Sequence, residues 1–235
     1  MNNYSIENIA SIINGTMLLK SNGDDKIAHL LFDTRKIIFA ETSLFFALKS
    51  NKNNGHKYLN DAYDTGIRNF IVSEPMDVSN FKNANIILVK NTQIALQQLS
   101  THHRNLFHIP IIGITGSNGK TIVKEWLFHV LQSEFNIVRS PRSYNSQLGV
   151  PLSVWQMDSV HDLGIFEAGI STSGEMQHLQ HVIHPDIGVI TNIGEAHNEG
   201  FETMLTKLEE KLVLFQEAKL IVYCKDHIMI DKVIH

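Results

Sequence analysis

The chain has 235 residues, of which 43% are hydrophobic and 19% are charged, and its formal net charge is −4. This composition is typical of a globular protein with a substantial core, and the charge gives no support to a nucleic-acid or membrane binder that works through bulk positive charge. The single cysteine, Cys224, excludes an intramolecular disulfide framework, and its apolar neighbours predict a buried, inert thiol. Because the N-terminal residues lack the basic start and apolar stretch of a signal peptide and no apolar run approaches the roughly 20 residues of a membrane span, we expect a cytoplasmic protein.

The first hundred residues mix helical and extended patterns. Apolar residues between Ile6 and Ile13 recur at helical spacing and end at Gly15. Short apolar runs then predict strands at Ile27–Phe32, Ser43–Leu48, Asn69–Val72 and Asn85–Val89, and Ile94–Arg104 reads as a helix. Together these elements predict a small N-terminal α/β or α+β domain over residues 1–106.

From Ile109 onward, apolar strands alternate with helices at regular intervals. The predicted strands are Ile111–Thr115, Asp162–Phe166, Ile187–Thr191 and Leu220–Cys224, and the predicted helices are Thr121–Glu134, Glu175–Val182 and Glu202–Gln216. This order is typical of a doubly wound, mostly parallel sheet covered on both faces. We therefore expect a second α/β domain over residues 107–235. Since such a sheet usually has more strands, we expect this domain to be incomplete at its C-terminus.

Residues 113–121, Gly-Ile-Thr-Gly-Ser-Asn-Gly-Lys-Thr, join the first strand of this domain to its first helix. Glycines in this context let backbone N–H groups cradle phosphate oxygens, and the helix N-terminus adds partial positive charge. Lys120 can reach terminal phosphates, and the hydroxyl of Thr121 can bind Mg²⁺. The alternative is a glycine-rich turn without a ligand.

Polar residues follow three of the predicted strands at one edge of the sheet. Thr121 follows the first strand and its loop, Glu167 follows the second, and Asn192 and His197 follow the third. Ligands of open parallel sheets bind at this carboxyl edge, and Mg²⁺ favours oxygen ligands, so a histidine ligand is less usual. The alternatives are a helix-capping carboxylate for Glu167 and a hydrogen-bonded loop histidine for His197.

The glycine spacing of residues 113–121 departs from a strict Walker A motif and resembles the ATP loop of the Mur ligases, which build the peptide stem of bacterial cell-wall precursors. Further stretches resemble the branch of this family that adds D-alanyl-D-alanine. They are Asp33-Thr34-Arg35, Leu44-Phe45-Phe46-Ala47-Leu48-Lys49, Gly55-His56, Asn145-Ser146-Gln147-Leu148-Gly149-Val150-Pro151, Glu167-Ala168-Gly169, Gly174-Glu175-Met176 and Thr191-Asn192-Ile193-Gly194-Glu195-Ala196-His197. Asn54 replaces the family's Asp before Gly55. The resemblance covers the whole chain and implies a substrate domain followed by part of a central ATPase domain.

The resemblance also implies a role for each matching residue. ATP would be bound by Thr115, Gly116, Ser117, Asn118, Gly119, Lys120, Thr121 and Asn192. The catalytic residues would be Lys120, Glu167, His197 and Lys211, and two Mg²⁺ ions would be held by Thr121, Glu167, His197 and Lys211. The nucleotide-sugar substrate would contact Thr34, Arg35, Lys49, His56, Asn145 and Ser146. Arg35 could fork onto a diphosphate, and the alternative for it is a structural arginine in a surface turn.

By position, Lys211 resembles the family's lysine that reacts with CO₂ to give a carbamate ligand for Mg²⁺. The chemistry is reasonable because burial lowers the pKa of a lysine and leaves a nucleophilic neutral amine. The alternatives are a solvated lysine paired with a neighbouring glutamate, and Lys207, one turn earlier, as the reacting residue.

The implied activity is an ATP-dependent ligase that adds D-alanyl-D-alanine to UDP-MurNAc-tripeptide through an acyl phosphate, in peptidoglycan synthesis. The family's C-terminal domain lies outside this chain, so we expect very weak or absent ligation by the chain alone, and the full protein could carry a fused alanine racemase. The alternatives are a sister Mur ligase, a folylpolyglutamate synthase-like ligase, and a binding module without turnover. The motif at 145–151 and the N-terminal motifs favour the D-alanyl-D-alanine branch.

Overall fold

A computed structural model describes residues 4–21, 23, 26–50, 53–194 and 200–235. The chain divides into two compact units, residues 1–102 and 103–235. Among the described residues, no helix combines the length and the apolar character needed to cross a bilayer. Both units combine helices with largely parallel sheets, so the predicted α/β fold class is confirmed.

The first unit is built on a mixed five-stranded sheet. The strands of the unit are β1 (Tyr4–Ser5), β2 (Thr16–Leu19), β3 (Lys26–Ile27), β4 (His29–Leu31), β5 (Ser43–Phe46), β6 (Asn69–Val72) and β7 (Asn85–Leu88). The helices of the unit are α1 (Ile6–Ile12), α2 (Leu59–Asp64) and most of α3 (Thr92–Arg104). The main sheet has the order β2-β7-β6-β5-β4, while β1 and β3 form a separate antiparallel pair. All neighbours in the main sheet are parallel except β2 and β7. Strands β5 and β6 are buried along their whole length, which explains why they read as continuous apolar runs.

The second unit is a parallel sheet with helices on both faces. Its strands are β8 (Ile111–Thr115), β9 (Ile137–Arg139), β10 (Leu163–Glu167), β11 (Ile187–Ile190) and β12 (Leu220–Val222), and its helices are α4 (Lys120–Leu131), α5 (Gly149–Val154), α6 (Glu175–Ile183), α7 (Met204–Leu212) and α8 (Ile228–Ile234). The strand order is β12-β11-β8-β10-β9, with every neighbouring pair parallel. The chain leaves β8 toward one side of the sheet and later returns to its other side. The carboxyl end of β8 is therefore the topological switch point, where open α/β sheets bind their ligands.

Two apolar layers cover this sheet and fix its strands. One layer includes Ile111 and Phe166, and the other includes Ile112 and Ile165, so alternate residues of each strand enter opposite layers. Pairing in register brings Glu167 of β10 beside Ile114 of β8. The strand ends at the switch point are therefore held by the sheet rather than by flexible loops.

The structure corrects two sequence-based expectations about burial. Cys224 is exposed rather than buried, because it follows β12, which lies at the edge of the sheet. In the sequence, Trp126, Phe128, Phe135 and Trp155 fit core packing better than a stacking platform for bases, but Trp126 is 68% exposed and Phe135 is 39% exposed, whereas Trp155 is buried. Helix α4 turns Val123, Leu127 and Leu131 toward the sheet, which leaves the position of Trp126 facing outward.

Candidate nucleotide and metal site

The loop after β8 has the backbone shape of a phosphate cradle. Gly116 has φ 137° and Gly119 has φ 81°, both in the region that favours glycine. Gly119 is the N-cap residue of the 12-residue helix α4 and has no side chain to accept a hydrogen bond. It therefore leaves the first N–H groups of the helix uncapped on the side of the loop. Uncapped N–H groups and the helix dipole favour an anion here. The strand, loop and helix predicted for residues 111–121 are therefore in place.

The segment after β11 braces this loop from one side. The amide N of Ser117 donates to the carbonyl of Asn192 at 3.0 Å, and the amide N of Asn118 donates to Oδ1 of Asn192 at 3.0 Å. Ser117 and Gly194 exchange two further hydrogen bonds at 3.0 and 3.1 Å. Thr191 Oγ1 donates to the carbonyl of Asn118 at 2.6 Å. Asn192, predicted to bind ATP, thus holds the shape of the phosphate loop through both its backbone and its side chain.

Lys120 folds back over the loop that it follows. Its Nζ donates to the carbonyl of Gly116 at 2.9 Å and is 3.5 Å from the carbonyl of Ser117. Burial lowers the pKa of Lys120, and the nearby Glu167 carboxylate partly opposes that shift. A phosphate in the cradle would offer this partly buried amine a charged acceptor in place of neutral carbonyls.

Glu167 ends β10 as a fully buried carboxylate beside the phosphate loop. Its Oε2 accepts from Thr121 Oγ1 at 3.0 Å and lies 3.4 Å from Asn145 Nδ2. Thr121 Oγ1 is also 3.2 Å from Ser143 Oγ. The structure therefore brings Asn145, predicted as a substrate contact, to Thr121 and Glu167, which the sequence already places together at this edge of the sheet.

The donor set at this position fits Mg²⁺. The described groups are one carboxylate and two hydroxyls, all of them the hard oxygen donors that this ion prefers, and Mg²⁺ is commonly held by one or two carboxylates together with substrate phosphates and water. Within the described ranges, no group of three or more His, Cys, Asp or Glu side chains could hold a metal by itself. This set can serve a metal that arrives with a nucleotide. His197, predicted as a further ligand, lies outside the described residues, as do 195, 196, 198 and 199.

Two lysines of α7 are buried next to the phosphate loop. Lys211 is 3% exposed and its Nζ is 3.4 Å from the carbonyl of Gly116, the same carbonyl that Lys120 uses. Lys207 is 1% exposed and donates to the carbonyl of Gly194 at 2.6 Å. Burial, together with the charges of Lys120 and Lys207, lowers the pKa of Lys211 to about 7. A solvated Lys211 is therefore wrong, while the choice between Lys207 and Lys211 as the reacting amine stays a prediction.

The remaining candidates of the second unit lie between β9 and α5. The backbone of Asn145 accepts from the amide N of Gly169 at 2.7 Å, so its side chain is held near Glu167. Ser146 Oγ accepts from the amide N of Gly149 at 3.2 Å, at the start of α5. Asn145 thus joins the candidate site, whereas Ser146 contributes to the local turn.

The first unit contains a separate polar cavity beside Arg35. Its lining includes Phe32, Asp33, Thr34, Arg35, Asn53, Tyr58 and Asp61, and its volume is about 480 Å³. The guanidinium of Arg35 pairs with both carboxylate oxygens of Asp33 at 2.9 Å, and this hydrogen bonding lowers the pKa of Asp33 to about 2. The side chain of Arg35 is 86% exposed, so its remaining donors are open to an anionic ligand.

Lys49 and His56 have structural partners within the first unit. Lys49 Nζ bonds Glu74 Oε1 at 2.6 Å. The ring of His56 lies 2.7 Å from Asn54 Oδ1 through Nδ1, and its Nε2 accepts from the amide N of Ser73 at 2.9 Å. Burial lowers the pKa of His56, in keeping with a neutral ring whose two nitrogens organise this turn. Contact between His56 and the substrate stays a prediction, and the use of both ring nitrogens within the first unit does not favour it.

Sequence reasoning missed three polar residues that shape the site: Lys124, Ser143 and Thr191. Lys124 is the most notable, because its ammonium is 3.1 Å from Glu167 Oε1. The available signal was its position four residues after Lys120, which places both on one face of α4. Ser143 and Thr191 are short loop and strand-end side chains, and their contacts depend on the folded path of the chain.

The comparison with known proteins identifies the class. The family model described as the Mur ligase middle domain matches residues 114–234. The chain therefore belongs to the Mur ligase family, and the resemblance found in its motifs is confirmed.

Particular relatives share a more specific name. The chain is 31% identical over 219 residues to UDP-N-acetylmuramoyl-tripeptide–D-alanyl-D-alanine ligase of Bacillus subtilis, which covers 92% of this chain and 46% of that protein. Among solved structures, MurF from Thermotoga maritima in complex with ADP matches with a TM-score of 0.76 and 26% identity, over 87% of this chain and 47% of that one. MurF from Acinetobacter baumannii matches in fold with a TM-score of 0.85 at 22% identity, over 99% of this chain and 52% of that one. The chain thus spans about half the length of the curated relatives that it matches.

Proposed function

We propose that this chain provides the UDP-sugar domain and part of the ATP-binding domain of a ligase that joins D-alanyl-D-alanine to UDP-MurNAc-tripeptide in peptidoglycan synthesis. The observation that carries the proposal is the placement of Thr121 and the buried Glu167 beside a glycine-rich phosphate loop, with Thr121 Oγ1 3.0 Å from Glu167 Oε2. Relatives carrying that ligase name support the choice of substrates. The proposal keeps the expectation of a cytoplasmic protein, and a further C-terminal domain and a fused racemase stay predictions about the full-length protein.

The proposed reaction has two steps. The terminal carboxylate of the tripeptide attacks the γ-phosphorus of ATP, and the bond from that phosphorus to the β,γ-bridging oxygen breaks. ADP is the leaving group, and the tripeptide becomes an acyl phosphate. The amine of D-alanyl-D-alanine then attacks the acyl carbon, phosphate leaves, and the amine loses a proton. Phosphoryl transfer of this kind depends mainly on positioning and on neutralising charge.

The residues of the second unit match these requirements. Backbone N–H groups at the start of α4 and the ammonium of Lys120 would hold the phosphates. Thr121, Glu167 and, in the proposal, His197 and a carbamate on Lys211 would hold two Mg²⁺ ions, which supply positive charge to the phosphates. The carbamate forms when the neutral Lys211 amine adds to CO₂ and releases a proton. The pKa of about 7 leaves a large neutral fraction of that amine at neutral pH.

Replacement of Lys120 by methionine tests the nucleotide site. We expect the affinity of the chain for Mg-ATP, measured by isothermal titration calorimetry, to fall about 30-fold, because a charge-assisted hydrogen bond contributes about 2 kcal/mol. Lys232→Met, at an exposed position of α8, is the matched control and should bind as the wild type does. Equal affinities for Lys120→Met and wild type would contradict the assignment of this loop to ATP.

Replacement of Arg35 by alanine tests the sugar-nucleotide site. We expect the affinity of the chain for UDP-MurNAc-tripeptide to fall about tenfold, because an exposed guanidinium would lose its pairing with the diphosphate. The neighbouring exposed residue provides the control, Lys36→Ala, which should retain binding.

The same titration distinguishes the alternatives. Tighter binding of UDP-MurNAc-dipeptide than of the tripeptide would favour a sister ligase. Binding of ATP without either sugar nucleotide would leave only the family assignment.

A further inference from the structure

Lys124 carries a buried charge that the proposed reaction does not use directly. It lies one turn after Lys120 on α4, and its side chain is 0% exposed. Its Nζ donates to the carbonyl of Ser140 at 2.7 Å, to the carbonyl of Arg142, and to Glu167 Oε1 at 3.1 Å. These three acceptors match the three donors of an ammonium group.

The contacts of Lys124 join three separate parts of the site. The lysine belongs to α4, Glu167 ends β10, and residues 140–142 form the segment after β9. Arg142 adopts φ 51°, an uncommon value for a residue other than glycine, and its carbonyl accepts from Lys124. The ammonium of Lys124 therefore fixes the position of residues 140–142 relative to the carboxylate of Glu167.

The two oxygens of Glu167 have different sets of partners. Oε1 accepts from Lys124 Nζ at 3.1 Å and lies 3.3 Å from Thr121 Oγ1, whereas Oε2 accepts from the same hydroxyl at the shorter distance of 3.0 Å and faces Asn145. Fixing one oxygen of a carboxylate limits the rotation of the other. Lys124 thereby restricts Glu167 to orientations that present Oε2 to the hydroxyl of Thr121.

Stability alone is a poor explanation for this pair. Removing two charges from water is costly, and replacing a buried ion pair by apolar residues is often neutral or stabilising. An apolar pair at these positions would, however, leave the phosphate loop without its carboxylate. The buried ammonium holds one oxygen of that carboxylate in place inside the protein.

We propose that Lys124 is a positioning residue that orients Glu167 for the metal that accompanies the nucleotide. This inference rests on the proposed function, because it assumes that Glu167 meets a nucleotide-bound metal. Partners that orient metal ligands commonly change metal affinity by about 10–100-fold when they are removed. Lys124 would therefore act on the contribution of Mg²⁺ to nucleotide binding rather than on the phosphate loop itself.

The first experiment compares ATP binding by this chain with Mg²⁺ and with EDTA. In Lys124→Met, we expect affinity in EDTA to stay within about twofold of wild type, while the gain provided by Mg²⁺ falls about tenfold. Glu167→Gln should show the same selective loss, and the double variant should lose no more than Glu167→Gln alone. An unchanged Mg²⁺ gain in folded Lys124→Met, or additive losses in the double variant, would overturn the proposal.

Glu125 provides a matched control on the same helix. Its Oε1 lies 3.2 Å from Lys124 Nζ, but its side chain is 33% exposed and also pairs with Arg139 at 2.6 Å. Glu125→Gln should keep the Mg²⁺ gain, because no contact among the described residues joins Glu125 to Thr121. Loss of the gain in Glu125→Gln would show that general charge near Lys124 matters rather than the pair with Glu167.

A second experiment separates failure of this inference from failure of the proposed function. Urea unfolding of wild type, Lys124→Met, Glu167→Gln and the double variant needs no nucleotide, and Trp126 and Trp155 report on the second unit. We expect the double variant to unfold at a higher urea concentration than Lys124→Met, because it buries no unpaired carboxylate. Absence of Mg²⁺-dependent ATP binding in the wild type would contradict the proposed function. A urea midpoint that shifts in the double variant by the sum of the two single-variant shifts would overturn the positioning role, whether or not the wild type shows Mg²⁺-dependent ATP binding.

Discussion

Replacing Gly116 by alanine is expected to lower the affinity of the chain for Mg-ATP by at least about 100-fold, or about 2.7 kcal/mol. The residue has φ 137°, where an L side chain is strained. A Cβ atom would also lie 2.0 Å from Thr191 Oγ1 and 3.0 Å from the carbonyl of Asn192. Because Thr191 and Asn192 both brace the loop, the strain and the clash would displace the phosphate cradle itself.

Gly174→Ala is the matched control for this substitution. Gly174 also has a positive φ, 85°, but a Cβ there would meet nothing within 4 Å. A side chain there would also strain the backbone, but outside the phosphate loop, so Gly174→Ala should affect stability without the selective loss of ATP binding. Calorimetric titration after circular dichroism has shown that both variants are folded measures the effect. Wild-type affinity in Gly116→Ala would mean that the loop does not bind the nucleotide in the shape described.

The strands next to the site were predictable, because each combines a strong apolar run with a clear boundary. The prediction Ile111–Thr115 has the observed limits, β10 is shifted by one residue at each end, and β11 is shorter than its prediction by one residue at its C-terminal end. Shorter elements were missed. Strand β9 has three residues, and α5 contains both Gly149 and Pro151, which are poor helix formers. Burial of five residues of α5 overrides those local preferences.

The candidate site was predictable only where topology alone brings residues together. Parallel strands place their carboxyl ends at one edge, which is enough to associate Thr121 with Glu167. The buried environment of Lys124 depends instead on the path of residues 140–142, including the positive φ of Arg142. Nothing in a lysine on an amphipathic helix marks it as buried, and most lysines are exposed. For the same reason, the exposure of Trp126 could not be predicted without knowing which face of α4 meets the sheet.

Replacing Lys211 by methionine is expected to stabilise the second unit strongly at acidic to neutral pH in CO₂-free buffer. The pKa of Lys211 is about 7 in the folded chain, against an ordinary value of 10.5. Below pH 7 the lysine is charged in both states, so the folded state bears the full cost of burying the charge. The shift corresponds to a cost of roughly 5 kcal/mol, which Lys211→Met would remove.

The sign of the pH dependence follows from proton binding. Between pH 7 and pH 10.5 the unfolded chain holds one more proton at this position than the folded chain. The wild type therefore gains stability by about 1.4 kcal/mol for each pH unit in this window, and Lys211→Met does not. The advantage of the variant should shrink as the pH rises and disappear near the upper limit. Urea unfolding followed by tryptophan fluorescence at several pH values measures this difference, with Lys232→Met as the exposed control.

Bicarbonate extends the same experiment to the proposed carbamate. A CO₂ adduct on the neutral amine of the folded chain would stabilise it by mass action above pH 7, because the ligand binds the folded state preferentially. Wild type should then gain stability from bicarbonate at pH 8, while Lys211→Met should not. If Lys207 were the reacting amine, Lys211→Met would keep the bicarbonate effect and Lys207→Met would lose it. Parallel pH profiles for wild type and Lys211→Met would show instead that the Lys211 amine stays charged in the folded protein, which would remove the chemical basis for a carbamate there.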